Sequence, residues 1–331
     1  MSIYIRVTLL LATLLFINGC GTTPAPAPKP QQVTYNGFIV HLPSGDTVHK
    51  EDLLDKLVDS QVIYLGEKHD NPYQHQSQLE IVERLIKRGK RPAIGFEFFS
   101  QEQTGWLMNY TLGYKSLMVP VMEKRVEGYL RKKLGWQGRN DWKFYAPLIE
   151  LARKHKLPVF GADLPKGTKV RLTRTGLAKM SSLEKSLIFS TGFSDDKYRL
   201  AMHKRLSQSH CGTARGDFLE RLYQTWLARN DAMAKSIVEM RKEMDDEPIV
   251  VLLGLAHVQN NMGVYDRVAH LDPTIRQVNL GFREMLPEEH SHDDEETKPE
   301  HPDHNYLWFT PPTPGQKGGD PCAQFRKVHK K

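Results

Sequence analysis

Ile249-Val-Val-Leu-Leu253, running into Gly254-Leu-Ala-His257, is the stretch that decides how the chain is read. Five consecutive aliphatic residues leave no face for water, as expected of a strand covered on both sides of a sheet. Three further apolar runs have the same form. They are Val62-Ile-Tyr-Leu65 before Gly66-Glu67-Lys68-His69, Ala93-Ile-Gly-Phe96 before Glu97, and Pro158-Val-Phe160 before Gly161-Ala-Asp163. In an open parallel sheet, ligands bind in the crevice beyond the carboxyl ends of the strands. Glu67, His69, Glu97, Asp163 and His257 are therefore expected to converge on one crevice.

Between these runs the period changes from sheet to helix. Residues 71–88 carry Leu79, Val82, Leu85 and Ile86 at helical spacing, and Gly89-Lys-Arg-Pro92 ends that helix. Another helix is expected through 110–134. A third spans 141–156, with Phe144, Leu148, Leu151 and Ala152 on one face, Asp141 as its cap and Pro147 as a kink. Residues 217–244 place Phe218, Leu222, Trp226, Met233, Ile237 and Met244 on one apolar stripe, read as core packing. Strands are expected near 276–282 and at 305–309. The fold class is α/β, a mainly parallel sheet flanked by helices. The sheet domain takes 33–164 and 212–331. A smaller all-helical subdomain is inserted at 165–211, where no strand pattern appears. Residues 287–304, rich in Asp, Glu and His, read as a solvated loop.

The first residues carry an address. Arg6, the apolar run 7–17 and Asn18-Gly19-Cys20 have the grammar of a lipoprotein signal, 1–19, with Cys20 as the lipidated (palmitate-bearing) N-terminus. A Pro-rich tether, 20–32, follows. Gly21 is not an acidic retention residue, so the bacterial outer membrane is the expected site. Removing Arg6 with the signal takes the net charge from +7 to +6. That charge is spread among alternating acids and bases, which argues against nucleic acid and leaves an anionic ligand or membrane face. Cys211 and Cys322 remain, and spacing alone leaves open whether they pair.

Glu67 and His69 are two apart and share one side of an extended chain. With Glu97 and His257 they form a two-His, two-carboxylate set suited to a divalent transition metal such as zinc, iron or manganese. The other account of the same residues is a buried polar network at strand ends. Asp163 has a second reading too, since an acid before Leu-Pro often caps the next helix. The loop histidines His290, His292, His301 and His304 invite loose metal binding or simple solvation.

The chain resembles the ChaN-like haem-binding lipoproteins of the Tiki superfamily, which is itself similar to erythromycin esterases. The resemblance is carried by Leu65-Gly-Glu-Lys-His-Asp70, Gly95-Phe-Glu-Phe98, Asn140-Asp-Trp-Lys-Phe-Tyr-Ala-Pro147, Phe160-Gly-Ala-Asp-Leu-Pro165, Arg229-Asn-Asp-Ala-Met-Ala234, Gly254-Leu-Ala-His257 and Tyr306-Leu-Trp-Phe-Thr-Pro311. It implies a role in haem or iron uptake with an outer-membrane haem receptor as partner, and a homodimer formed around haem. In the wider superfamily it also implies a metal or hydrolytic site on Glu67, His69, Glu97 and His257. The family's iron ligand resembles a tyrosine. Tyr198, one helical turn from Met202 in Asp196-Lys-Tyr-Arg-Leu-Ala-Met-His203, is the candidate, with His203 and Lys204 for the propionates and Tyr145 as a second choice. Three functions follow: a haem-binding lipoprotein, which is preferred and is not an enzyme; a metal-dependent hydrolase; or a structural lipoprotein. The hydrolase lacks a nucleophile elbow, a His-Glu-x-x-His helix and a phosphate loop.

Overall fold

In a computed structural model, residues 37–113, 123–285, 304–315 and 322 are described. The expected signal, the tether and residues 287–303 of the acidic loop, with His290, His292 and His301, lie outside them. A hairpin of β1 (Ile39–His41) and β2 (Asp46–Val48) leads to α1 (Lys50–Val58). Then come β3 (Val62–Glu67), α2 (Pro72–Lys87), β4 (Ala93–Ser100), α3 (Thr104–Leu112), α4 (Glu123–Leu134), α5 (Trp142–His155) and β5 (Val159–Asp163). The next segment holds α6 (Lys166–Thr175), α7 (Ser182–Ile188) and α8 (Asp196–Ser209), before the long α9 (Gly216–Lys242). β6 (Ile249–Gly254), α10 (Val264–Leu271), β7 (Gln277–Glu284) and β8 (Tyr306–Thr310) complete the chain order.

Among the described residues the strands form one sheet, in the order β2-β1-β8-β7-β3-β6-β4-β5. The six strands from β8 to β5 are parallel, and β1 runs antiparallel to β8 and β2. Strands β3, β6 and β5 are buried at every residue, which is why they read as unbroken apolar runs. Their side chains alternate between two cores. Ile63, Leu65, Val250 and Leu252 pack with Leu53 and Leu54 of α1, Val82 and Leu85 of α2, and Leu148 of α5. Val62, Tyr64, Ile249, Val251 and Leu253 pack with Met233 and Ile237 of α9 and with Val264 and Val268 of α10. Truncating a side chain here to alanine removes roughly 2–5 kcal/mol.

Helices α6, α7 and α8 pack on α9 through two small clusters. Leu172, Met180 and Ile188 meet Ala228 and Ala232; Tyr198, Met202 and Leu206 meet Tyr223. Cys322 is joined by a disulfide to Cys211, just after α8, which settles the pairing left open by spacing. The helix expected over 110–134 is different: α3 begins at Thr104 and stops at Gly113, whose φ of 67° is left-handed. α5 runs through Pro147, and Asp141 holds its N-cap position without a side-chain hydrogen bond to the helix. The Asp141 carboxylate is drawn back to Arg139, 3.1 Å from Nε.

Candidate functional site

Four strand ends meet as the sequence predicts, and the reason is register. β6 pairs with β3 on one side and with β4 on the other, bringing Gly254 level with Glu67. The β4 ladder with β6 ends at Phe96, and the pairing of β4 with β5 shifts register between Phe96 and Ser100. Glu97 sits in that irregularity. Such a bulge re-aims a side chain at the sheet's edge. Beyond β3, Lys68 to Asp70 turn outward until Asn71 caps α2, its Oδ1 accepting from the N–H groups of Tyr73 (2.9 Å) and Gln74 (3.2 Å).

Glu67 is buried and tightly held. Its carboxylate accepts from Gln78 Nε2 at 2.6 Å and from the Tyr145 hydroxyl at 2.9 Å. His69 Nδ1 lies 3.1 Å away and His75 Nδ1 3.4 Å. The His69 side chain is 53% exposed, and its ring is anchored through Nδ1. It stands edge-on to Phe98, and its Cε1 and Nε2 lie over Gly254. A Cβ at Gly254 would come within 2.9 Å of Cε1, so the ring's position depends on that glycine. Burial draws the His69 pKa down, but the Glu67 hydrogen bond and the charges of Glu97 and Glu67 outweigh it and leave the pKa raised.

Glu97 belongs to a second, adjoining network. It accepts from the Gly254 N–H at 2.5 Å and from Arg229 Nη2 at 2.6 Å. Burial opposes its charge, yet His257 and Arg229 bring its pKa well below the usual carboxylate range. Arg229 also grips Asp163, with Nε 3.0 Å from Oδ2. Asp163 accepts from the Leu164 N–H and pairs with Lys169, so it is a buried member of the network and not the cap of α6, which starts after Pro165. His257 Nδ1 is 2.5 Å from Asn230 Oδ1, and the ring stacks on Trp226 at 3.8 Å. Its Nε2 lies 3.2 Å from Glu97 Oε1 without a hydrogen bond of good geometry. Burial is the largest influence on His257 and lowers its pKa, against the pull of the Glu97 charge.

The four predicted residues are together, but the expected metal set is not assembled. The Arg229 guanidinium stands where a bound cation would face Glu97, and Glu67 is closed off by Gln78 and Tyr145. Among the described residues no group of three or more His, Cys, Asp or Glu is arranged to hold a metal ion.

The haem-ligand candidates also move. Tyr198 is 3% exposed; its oxygen accepts from Trp226 Nε1 at 2.7 Å and from Asn230 Nδ2 at 2.8 Å. Burial pushes its pKa up to about 12, against the pull of those two donors. It supports the partners of His257 and does not open on the crevice. Tyr145 is spent on Glu67, and its burial and that carboxylate drive its pKa far up. His203 turns to Glu220 (3.3 Å) and stacks edge-on to Tyr223. Lys204 lines a cavity of about 340 Å³ that adjoins the crevice through Arg205 and Ala256. His304 is fully buried with neither ring nitrogen paired.

The crevice itself measures about 610 Å³. Lys68, Arg205, Arg229 and Arg283 give it cations, and Trp226, Leu255 and Phe282 give it apolar walls. Its size and mixture fit a cofactor-sized ligand with a few fixed polar contacts. The sequence reading assigned Trp226 to the core and named Arg229-Asn-Asp only as part of the family resemblance, with no role in the site. The available signal was Arg229-Asn-Asp on an otherwise apolar stripe. Three neighbours on α9 fan out to Glu97 and Asp163, to His257 and Tyr198, and to the buried Arg267, whose Nε is 2.6 Å from Asp231.

Comparison with known proteins bears on this site. The model of a family described as "Haem-binding uptake, Tiki superfamily, ChaN" matches residues 53–268. Among solved structures, one of ChaN of Campylobacter jejuni, described as showing cofacial haem binding, superposes with a TM-score of 0.61 at 16% identity. That match covers 82% of this chain and 96% of the other. An erythromycin esterase in its open conformation matches at 14% identity and a TM-score of 0.41, covering 79% of each chain. The first likeness shows a shared fold. No curated protein matches the chain.

Proposed function

We propose, from the premise that the chain belongs to the ChaN family of haem-binding uptake proteins in the Tiki superfamily, that its strand-end crevice takes haem as cargo for iron acquisition. The observation that carries this reading is the wall chemistry of the crevice. Cationic side chains, among them Lys68 paired with Glu284 and Arg229 paired with Glu97 and Asp163, stand beside Trp226, Leu255 and Phe282, a mixture that suits propionates and porphyrin faces. Acylation at Cys20 and the tether to residue 32 would keep the domain at the outer membrane, within reach of a haem receptor. A homodimer closing over haem would exclude water from an otherwise open crevice. Metal-dependent hydrolysis has less support, because Glu67 is held by Gln78 and Tyr145 and Glu97 faces the Arg229 guanidinium.

The test is a haemin titration of the chain lacking residues 1–20, followed by absorbance and by sedimentation. A saturable Soret shift with a rise in mass is the expected result. The absence of a saturable shift, with the protein folded, overturns the reading.

A further inference from the structure

The surplus of positive charge is not spread along the chain, as the alternation of acids and bases suggested. Residues 165–211 hold ten Lys and Arg against three Asp and Glu, a surplus of seven. Taking these from the chain's 46 bases and 39 acids leaves 36 of each, so this segment accounts for the whole net charge of +7. The same segment carries α6, α7 and α8, and the three most exposed large apolar side chains among the described residues: Leu200 at 74%, Leu183 at 69% and Leu187 at 62%. The two features share one face of each helix. α6 packs on α9 through Leu172, and Lys166, Val170 and Arg174, spaced four apart, form its opposite, exposed face. α7 buries Ile188 and exposes Leu183 and Leu187, with exposed Lys179 four residues earlier. α8 packs through Tyr198, Met202 and Leu206, and Lys197, Leu200 and Lys204 lie opposite. Two of the segment's three acids are already engaged, Glu184 by Arg171 and Asp195 as the cap of α8.

We propose that the outward face of α6, α7 and α8 docks on an anionic phospholipid surface. The Lys and Arg side chains meet the headgroup phosphates, and Leu183, Leu187, Leu200 and Val170 enter the boundary with the acyl chains. Helices that bind in the plane of a bilayer combine apolar side chains with a basic rim in this way, and each base near an anionic leaflet adds to the attraction. No described helix is long and apolar enough to cross a membrane, so the contact is along the surface. A second copy of the chain is a poorer occupant. A two-fold interface sets a face against itself, which here brings two surpluses of seven together. A nucleic acid would use the cations and leave the leucines in water. The inference is independent of haem binding. Acylation at Cys20, proposed above, would add to it by raising the effective concentration of this face at the bilayer.

The chain lacking residues 1–20, free of haem, is sedimented with vesicles of phosphatidylethanolamine and phosphatidylglycerol and, separately, of phosphatidylcholine alone. Binding to the anionic vesicles is expected, at least about ten-fold tighter than to the neutral ones and weakened by salt. Leu183→Ser, Leu187→Ser and Leu200→Ser combined should weaken it about ten-fold or more. Lys166→Gln, Lys179→Gln and Lys197→Gln combined should do the same. The equal neutralisation Lys56→Gln, Lys132→Gln and Lys154→Gln, at exposed positions outside the segment, should leave binding nearly unchanged. So should Leu271→Ser, at an exposed leucine of α10. Circular dichroism checks the fold of each variant. Equal binding to both kinds of vesicle, full binding by either folded triple variant within the segment, or an equal loss in the two lysine variants overturns the inference. Absence of vesicle binding overturns it as well; a dimer in lipid-free sedimentation that the leucine variant dissolves then assigns the face to a second copy.

Discussion

Replacing Arg229 with methionine isolates the electrostatic core of the crevice. The guanidinium is 20% exposed, and it neutralises Glu97 at 6% and Asp163 at 1%. Removing one partner of a buried ion pair costs roughly 3–5 kcal/mol, because the other charge stays buried. Asp163 retains Lys169 and the Leu164 N–H, and Glu97 retains the Gly254 N–H, so the lower end applies. The expected loss is about 3 kcal/mol at pH 7.5. Its pH dependence has a definite sign. In the native protein Glu97 has a folded pKa below its unfolded value, so its stabilisation is present above the unfolded value and is lost as pH falls through the folded one. Without Arg229, burial dominates and the folded pKa rises, so protonation relieves the variant as pH falls. Urea unfolding followed by tryptophan fluorescence at pH 7.5 and 5.0 should show the difference from the native protein narrowing by about 1 kcal/mol or more, since each unit of pKa shift is about 1.4 kcal/mol. Adding Glu97→Gln to the variant should recover stability non-additively. A loss under about 1 kcal/mol at pH 7.5 would be too small for a buried ion pair; that result, or the same loss at both pH values, refutes the argument.

Other expectations concern the neighbouring residues. Gly254→Ala should leave overall stability within about 1 kcal/mol, because the exposed His69 ring can swing away, but it breaks the contact with Glu67. A His69 titration followed by NMR should then move downward, and an unchanged titration would count against the arrangement. Burial, with Arg283 and Arg205 nearby, pushes the His304 pKa down to about 3, and burial also holds His257 low. Both bind a proton less readily when folded than when unfolded, so stability should fall as pH drops below about 6.5. At pH 5.5 His304 should account for about 1.4 kcal/mol of that fall. His304→Leu should flatten the slope of urea-derived stability between pH 7.5 and 5.5, and an unaltered slope would show that His304 is not responsible.

The apolar runs at 62–65, 93–96, 158–160 and 249–253 were enough to specify buried parallel strands, because a strand covered on both faces cannot alternate. The acids and histidines just beyond them marked the crevice for the same topological reason. The hairpin of β1 and β2 left no such trace: three-residue strands are too short to display a period. What the site residues do was decided in three dimensions. Whether Glu97 would face a metal or an arginine depended on where α9 places Arg229, more than 130 residues further along the chain. Tyr198 read as a candidate ligand for haem iron, and only the packing of α8 on α9 aimed its hydroxyl at Trp226 and Asn230. A sequence states which groups carry lone pairs and charges. Their availability depends on which neighbours have already used them, and that is a property of long-range packing.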